Sequence, residues 1–172
     1  MPDLLEAPHR SRRLPAPLAA VLAARRTRLL ADATGRVLDL SSPGALALVE
    51  RAAREVDPVE GCYDVVVSVA ELIGLPDLHR AVVGVERLLG PGGEFRFVEP
   101  VQHPGMAATV VATAWCAHPT LAGLHLERDL PLVVRTVGLT ITDLERFTMP
   151  TLLWPMRPFV DGRARRIPET RR

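Results

Sequence analysis

The fold is decided by the stretch Gly35-Arg36-Val37-Leu38-Asp39-Leu40-Ser41-Ser42-Pro43-Gly44, in which a short apolar run ends in a turn of small residues. A helix-forming segment, residues 45–56, follows this turn directly. A strand, a tight turn and a helix in this order bring backbone N–H groups at a helix start toward an anionic or nucleotide ligand. Such turns use glycine because it lets the backbone approach the ligand and adopt positive φ. Since this turn has one glycine, at its end, the sequence indicates a fold more firmly than an activity.

The composition is that of one globular domain without a strong overall charge. The chain has 172 residues, of which 48% are hydrophobic, and a formal net charge of +1. These values exclude general disorder and an overall attraction to nucleic acid. Basic residues gather toward the two ends without aromatic neighbours, and we interpret them as solvated. They are Arg10, Arg12, Arg13, Arg25, Arg26, Arg28, Arg163, Arg165, Arg166, Arg171 and Arg172.

Three expectations about partners and location follow. No apolar run is long enough to span a bilayer and no secretion signal is evident, so we expect a cytoplasmic protein without a membrane partner. Without aromatic residues beside the arginines, no nucleic-acid partner is expected. Cys62 and Cys116 stand alone, without the spacing of a zinc site, so no metal is predicted.

Hydrophobic periodicity predicts a single domain over residues 15–167, between a flexible arm, residues 1–14, and a tail, residues 168–172. The predicted helices are Pro17–Ala31, Ala45–Glu55, Leu78–Leu89, Met106–His118 and Glu127–Val137. The predicted strands are Arg36–Leu40, Cys62–Val69, Glu94–Glu99, Leu139–Phe147 and Phe159–Ile167. A turn at residues 90–93 is predicted to separate the third helix from the third strand. This alternation predicts an α/β sheet, parallel at first, with an antiparallel hairpin at its end.

Four stretches resemble the class I S-adenosylmethionine-dependent methyltransferases, in particular the small bacterial type 11 group. They are Gly35–Leu40, Tyr63–Ser68, the run from Pro76-Asp77-Leu78 to Gly90-Pro91-Gly92-Gly93, and Gly123–Asp129 with the later hairpin to Val160. The resemblance covers roughly residues 28–166. It implies a shortened Rossmann-like sheet of about five strands, in the order 1-4-5-7-6 in the family's labels, and S-adenosylmethionine as the cofactor.

Two departures from the family's pattern bear on that cofactor. The family's first loop follows an acid-x-Gly-x-Gly-x-Gly pattern, but counting from Asp39 the glycine places hold Ser41, Pro43 and Ala45. We expect the Cβ atoms of all three to lie where bare backbone faces the cofactor's methionine part. The chain between Leu40 and Tyr63 also has room for a single crossover helix. The family's next two strands, which lead to the ribose and adenine contacts, are therefore predicted to be absent.

Asp57 is the one candidate for a remnant of the ribose-binding turn. From Asp57 to Asp64 the fully extended chain spans about 23–25 Å. It would have to descend a strand length of about 17–20 Å and step sideways by about 9–10 Å. That reach leaves no slack for turns, so the alternative, a solvated acid at a helix end, is favoured.

The shortened crossover has a topological consequence. Because such crossovers are right-handed, the helix after the first strand is predicted to lie on the sheet face opposite to the N-terminal helix. The first strand then becomes an edge of the sheet. An exposed edge and a thinly covered face are surfaces that a partner covers. We therefore predict a homodimer, or a complex with another chain, through the side of the Val37 strand; a small-molecule ligand is a further candidate partner.

The resemblance and the predicted sheet together name the candidate site residues. The cofactor-binding candidates are Asp39, Ser41, Ser42, Gly44 and Ser68; for Asp39 the resemblance implies a role in ordering the loop rather than in methyl transfer. The catalytic candidates are Glu71, His103 and His125, each of which also has a structural interpretation. His103 could form a general-base pair with Glu99, and His125 could fix its loop through Glu127 or Asp129.

Three functions fit these residues. The favoured one is a methyltransferase-like protein that has lost normal cofactor binding and acts as a binding or partner subunit. The second is an active S-adenosylmethionine-dependent methyltransferase on a small molecule, with a site that a partner chain completes. The third is an enzyme that uses the same pocket for chemistry other than methyl transfer.

Overall fold

The computed structural model describes residues 16–54, 61–101, 125, 128–149 and 157–167. Within these ranges the chain forms one five-stranded sheet. The strands are β1 (Val37–Asp39), β2 (Tyr63–Val69), β3 (Leu89–Pro100), β4 (Leu139–Thr148) and β5 (Pro158–Arg166). Their spatial order is β1-β2-β3-β5-β4. This is the order 1-4-5-7-6 in the family's labels, so the predicted shortened sheet is confirmed.

The first three strands are parallel, and the C-terminal hairpin is antiparallel, as predicted. β2 pairs in parallel with both β1 and β3, whereas β5 runs antiparallel to β3 and β4. In the described part of the chain β1 pairs on one side only, and it is an edge strand. The carboxyl ends of β1, β2 and β3 therefore share one rim of the sheet, where open α/β sheets place ligands.

The helices are α1 (Ala16–Ala31), α2 (Ala45–Ala52), α3 (Leu78–Leu88) and α4 (Leu130–Thr136), with a single 3₁₀ turn at Leu72–Gly74. Side-chain caps explain two of the starts. Asp77 accepts a hydrogen bond from the Arg80 N–H at 2.9 Å, and Asp129 accepts one from the Leu132 N–H at 3.2 Å. The cap at Asp129 makes α4 begin later than predicted. No helix of these ranges is long and apolar enough to cross a membrane.

The predicted turn at residues 90–93 is wrong in one respect, because this segment belongs to β3. Leu89 lies opposite Tyr63 and Glu94 lies opposite Val65, so four residues of β3 bulge between two paired positions. Glycine permits this bulge, since a Cβ on Gly93 would lie 2.9 Å from the Gly90 carbonyl oxygen and 3.1 Å from that of Tyr63.

The two sheet faces are covered as the crossover rule predicts. α2, α3 and α4 share one apolar core with the sheet, formed around Val66, Phe95 and Phe97. α1 packs Leu22 and Leu29 on the other face, in a core that also contains side chains of β2, β3 and β5. The N-terminal helix and α2 therefore lie on opposite faces, as expected from a right-handed crossover of this length.

Six of the terminal arginines form ion pairs with acids. The interpretation of these arginines as solvated is wrong for Arg25, Arg163 and Arg166, which are partly buried, whereas Arg26, Arg28 and Arg165 remain exposed. Arg25 donates to Asp161 at 2.6 Å, and Arg28 pairs with the same carboxylate. Asp161 is buried on β5, so both arginines of α1 reach into the sheet face. The remaining pairs are Arg26–Asp39, Arg163–Asp32, Arg165–Glu94 and Arg166–Glu86.

Candidate functional site

The turn after β1 is compact and closed by its own hydrogen bonds. The Ser42 N–H donates to the Asp39 carbonyl at 3.0 Å, and the Ala45 N–H donates to the Ser42 carbonyl at 3.1 Å. Gly44 caps α2 with a φ of 80°, the left-handed conformation that favours glycine. A Cβ built on Gly44 would have no neighbour within 4 Å. Gly44 is thus required by the backbone conformation and not by a close approach of other protein atoms.

Asp39 organises this turn and joins it to α1. Its Oδ1 accepts hydrogen bonds from the Ser41 N–H at 2.9 Å and the Ser41 hydroxyl at 2.7 Å. Its Oδ2 accepts a bond from Arg26 Nε at 2.6 Å, and a second Arg26 nitrogen also contacts it. Both carboxylate oxygens are therefore engaged within the protein, and a guanidinium group lies at the end of β1.

The three positions that replace the family's glycines differ in their surroundings. Ser41 and Pro43 are exposed on the turn, and Ser42 is exposed beside them. Ala45 is buried, however, and packs in the core that α2 and α3 share. The expectation that its Cβ faces a cofactor is therefore wrong. The first turn of α2 points this residue into the sheet, which a pattern of loop positions does not show.

A buried carboxylate, Glu99, lies at the adjoining ends of β2 and β3. Its Oε1 accepts three hydrogen bonds: from the Ser68 hydroxyl at 2.5 Å, the Glu71 N–H at 3.0 Å and the Leu72 N–H at 3.2 Å. Its Oε2 is buried and receives no hydrogen bond from the described residues. Burial raises the pKa of Glu99 to about 7, against the lowering effect of the bonds from Ser68, Leu72 and Glu71.

Two of the predicted site residues, Ser68 and Glu71, make these hydrogen bonds to Glu99. The Ser68 hydroxyl is fully buried and donates to Glu99, so it is committed to the protein interior. The Glu71 side chain is half-buried, and its pKa is raised by burial and then by the nearby negative charge of Asp39, while Arg26 lowers it. The Glu71 side chain therefore interacts electrostatically both with Asp39, in the turn after β1, and with Glu99, at the end of β3.

A small pocket opens beside Glu99. Its walls are formed by Leu72, Ile73, Leu78, Glu99, Pro100, His125, Arg128 and Leu130. His125 is held by its backbone N–H, which donates to the Ile73 carbonyl at 3.1 Å. The Arg128 guanidinium donates to the carbonyls of Leu75 at 2.5 Å and Pro76 at 2.7 Å. These bonds fasten the segment before α4 to the loop after β2 and shape the pocket.

Several predicted features lie outside the described residues. They are His103, Asp57, Glu127, the helix Met106–His118, the arm of residues 1–14 and the tail of residues 168–172. Glu99 itself is described and accepts hydrogen bonds from Ser68 and from the loop after β2, whereas its pairing with His103 stays a prediction. The strand register could have indicated the contact between Ser68 and Glu99. Ser68 lies opposite Phe97, and Glu99 follows two residues later on the same face of β3. In the described ranges no group of three or more His, Cys, Asp or Glu residues could hold a metal ion.

Comparison with solved structures identifies the fold. A Bacillus halodurans protein assigned as a methyltransferase superposes with a TM-score of 0.58 at 12% identity, over 86% of this chain and 99% of that chain. A SAM-dependent methyltransferase of Thermotoga maritima gives a TM-score of 0.56 at 15% identity, over 84% and 88% of the two chains. The [4+2]-cyclase SpnF gives 0.53 at 16% identity, over 85% and 71%.

No protein-family model and no curated protein sequence matches the chain. The similarity to known proteins therefore lies in the fold alone. The described part of this chain has the fold of the class I S-adenosylmethionine-dependent methyltransferases, in a shortened five-stranded form.

Proposed function

We propose that this chain is a methyltransferase-fold protein that does not hold S-adenosylmethionine in the family's usual way and acts as a binding or partner subunit. The observation that supports it most is the position of β1 as the last strand of the described sheet. Only residues 53–62 lie between α2 and β2. The strands that would carry the ribose and adenine contacts have no place in this crossover.

The turn after β1 gives independent support. Ser41 and Pro43 project side chains where the family has bare backbone, and Pro43 has no N–H to donate. The carboxylate of Asp39 is saturated by Ser41 and Arg26. A sulfonium cofactor would also meet the positive charge of Arg26 at this strand end, although Asp39 neutralises part of that charge.

Isothermal titration calorimetry with S-adenosylmethionine and its demethylated product, S-adenosylhomocysteine, tests this proposal. We expect no binding tighter than about 100 μM, which corresponds to roughly −5.5 kcal/mol. An intact methyltransferase titrated under the same conditions is the control. Tighter binding of either compound would overturn the proposal and favour the second function, an active methyltransferase on a small molecule.

The partner surface that we propose is the side of β1, and its occupant is a second copy of the chain. β1 has three residues, and in the described ranges its outer edge has no partner strand. Unpaired strand edges are surfaces that proteins usually cover. Sedimentation velocity at micromolar concentration should show a dimer; a monomer at that concentration would contradict the proposed surface.

A further inference from the structure

The loop after β2, residues 70–75, is held at the end of β3 by a single carboxylate oxygen. We call this segment the rim loop. Oε1 of Glu99 accepts hydrogen bonds from the Glu71 N–H at 3.0 Å and the Leu72 N–H at 3.2 Å. The Ser68 hydroxyl donates to the same oxygen at 2.5 Å, while Oε2 is buried and receives no bond from the described residues. The closed rim loop therefore keeps a carboxylate buried with one oxygen unbonded.

The backbone of the rim loop is strained at its first residue. Ala70 has a φ of 55°, and in the described ranges it is the one non-glycine residue with a positive φ. This left-handed conformation is unfavourable for a residue with a Cβ, and it persists only where the surroundings hold it. The Ala70 N–H donates to the Val98 carbonyl at 2.9 Å, so contacts with β3 hold the loop in a conformation that Ala70 does not favour by itself.

The rim loop also fixes the chain before α4. The Ile73 carbonyl accepts a hydrogen bond from the His125 N–H at 3.1 Å, and the Leu75 carbonyl accepts one from the Arg128 guanidinium at 2.5 Å. These contacts border the pocket beside Glu99, which in the closed state has room for about one water molecule. Movement of the rim loop would therefore break both contacts and enlarge this pocket at the carboxyl ends of β2 and β3.

We propose that the rim loop is a pH-dependent lid over this pocket, which stays closed while Glu99 is protonated and opens far more readily once Glu99 has released its proton to water. Opening exposes the carboxylate to solvent, which removes the cost of keeping an incompletely bonded charge buried. The lid uses none of the residues of the Ser41–Gly44 turn. It therefore goes beyond the proposed function and does not depend on whether S-adenosylmethionine binds.

The titratable groups that face Glu99 among the described residues come from two segments. Burial raises the pKa of Glu99 most, and the negative charge of Glu71, on the rim loop, raises it further. His125 and Arg128 border the pocket from the segment before α4. The other neighbouring elements contribute side chains without charge: Ser68 from β2, Leu78 from α3, Leu130 from α4 and Val160 from β5.

Opening should depend on pH because the closed and the open states hold the Glu99 proton with different affinities. Burial raises the pKa of Glu99 to about 7 in the closed state, whereas a solvated glutamate has a value of 4.5. Between these values the closed state keeps a proton that the open state has released, so a rising pH favours opening. From pH 5 to pH 8 the equilibrium constant for opening should increase about 70-fold.

Hydrogen exchange of single backbone amides at pH 5, 6, 7 and 8, corrected for the intrinsic rates, tests the lid. The Glu71 and Leu72 N–H groups donate to Glu99, and the His125 N–H donates to the rim loop. The protection factors of these three amides should fall about 70-fold from pH 5 to pH 8. Low concentrations of urea should hardly change them, because a local opening exposes little surface. The Val66 amide, in the buried part of β2, should keep a higher protection factor at every pH.

Three variants assign the effect to Glu99. Glu99→Gln keeps an acceptor for the three bonds but does not ionise, so the protection of the rim loop should no longer change with pH. Glu50→Gln, a change on the surface of α2, should retain the pH dependence of the natural chain. Glu71→Gln, which leaves the Glu99 carboxyl in place, should also retain a pH dependence.

Four results would overturn the lid, whether or not S-adenosylmethionine binds. The first is protection of the rim loop that does not change with pH in the natural chain. The second is a pH dependence that persists in Glu99→Gln, and the third is its loss in Glu71→Gln. The fourth is a response to urea equal to that of the Val66 amide, because the loop would then open only when the whole domain unfolds.

Discussion

From pH 5 to pH 8 the Glu99→Gln variant should gain about 2.5 kcal/mol of stability relative to the natural chain. Burial raises the pKa of Glu99 from 4.5 to about 7 in the folded protein. Between these values the folded state binds a proton that the unfolded state has released. Stability therefore falls as pH rises through this window, at about 1.4 kcal/mol per pH unit, and levels off above pH 7.

Glutamine removes the charge and keeps the bonds. Its amide oxygen can accept from Ser68 and from the two backbone N–H groups. Its amide nitrogen takes the place of Oε2, where the described residues offer no hydrogen bond, and that cost does not change with pH. Urea unfolding at pH 5, 6, 7 and 8 measures the difference. The surface variant Glu50→Gln serves as the control, and a stability difference that does not change with pH would contradict the buried, unpaired state of Glu99.

The Arg96→Met variant should lose about 3–5 kcal/mol of stability, because it breaks a buried ion-pair network. Arg96 is 5% exposed and lies on β3. Its Nε donates to Glu94 at 2.6 Å, and one terminal nitrogen donates to the Leu29 carbonyl at 2.5 Å and to Asp32 at 2.6 Å. Methionine fills similar volume but leaves the Glu94 carboxylate and the Leu29 carbonyl without this donor.

The control for Arg96→Met is Arg54→Met, which removes an exposed pair with Glu50 on α2 at 3.5 Å. Such a pair contributes about 0.3–0.5 kcal/mol. Without Arg96 the buried Glu94 carboxylate keeps only its longer contacts, with Arg165 at 3.4 Å and Arg163 at 4.0 Å. Adding Glu94→Gln to Arg96→Met should therefore recover part of the lost stability, because it removes this poorly compensated charge. Urea denaturation of these variants measures the free energy of unfolding of each. Equal small losses for Arg96→Met and Arg54→Met would show that the network does not fix α1 to the sheet.

The sheet and its topology could be predicted because they depend on local patterns and on one general rule. The β-branched run of β2 identifies a strand that is buried on both faces, and glycine and proline mark the connections. The short distance in sequence between β1 and β2 leaves one crossover, and its handedness then fixes which face α2 covers. These inferences need no knowledge of which side chains meet.

The candidate site was harder to predict because it depends on contacts between distant residues. Glu99 and Ser68 are 31 residues apart, and only the strand register makes them partners. The pairing of Arg25 and Arg28 with Asp161 crosses more than 130 positions, so the same arginines read as solvated in the sequence. The bulge in β3 requires glycine at Gly93, because a Cβ there would lie 3.1 Å from the Tyr63 carbonyl oxygen of β2. The sequence alone does not show that these two backbones approach each other.

The proposed loss of normal cofactor binding requires that β1 is the edge of a sheet without the sugar- and base-binding half of the cleft. A crystal structure determined with millimolar S-adenosylhomocysteine tests this most directly. The prediction is a sheet that ends at β1, with no nucleoside against Ser41–Gly44. Two further parallel strands beyond β1, or a nucleoside bound at that turn, would contradict it.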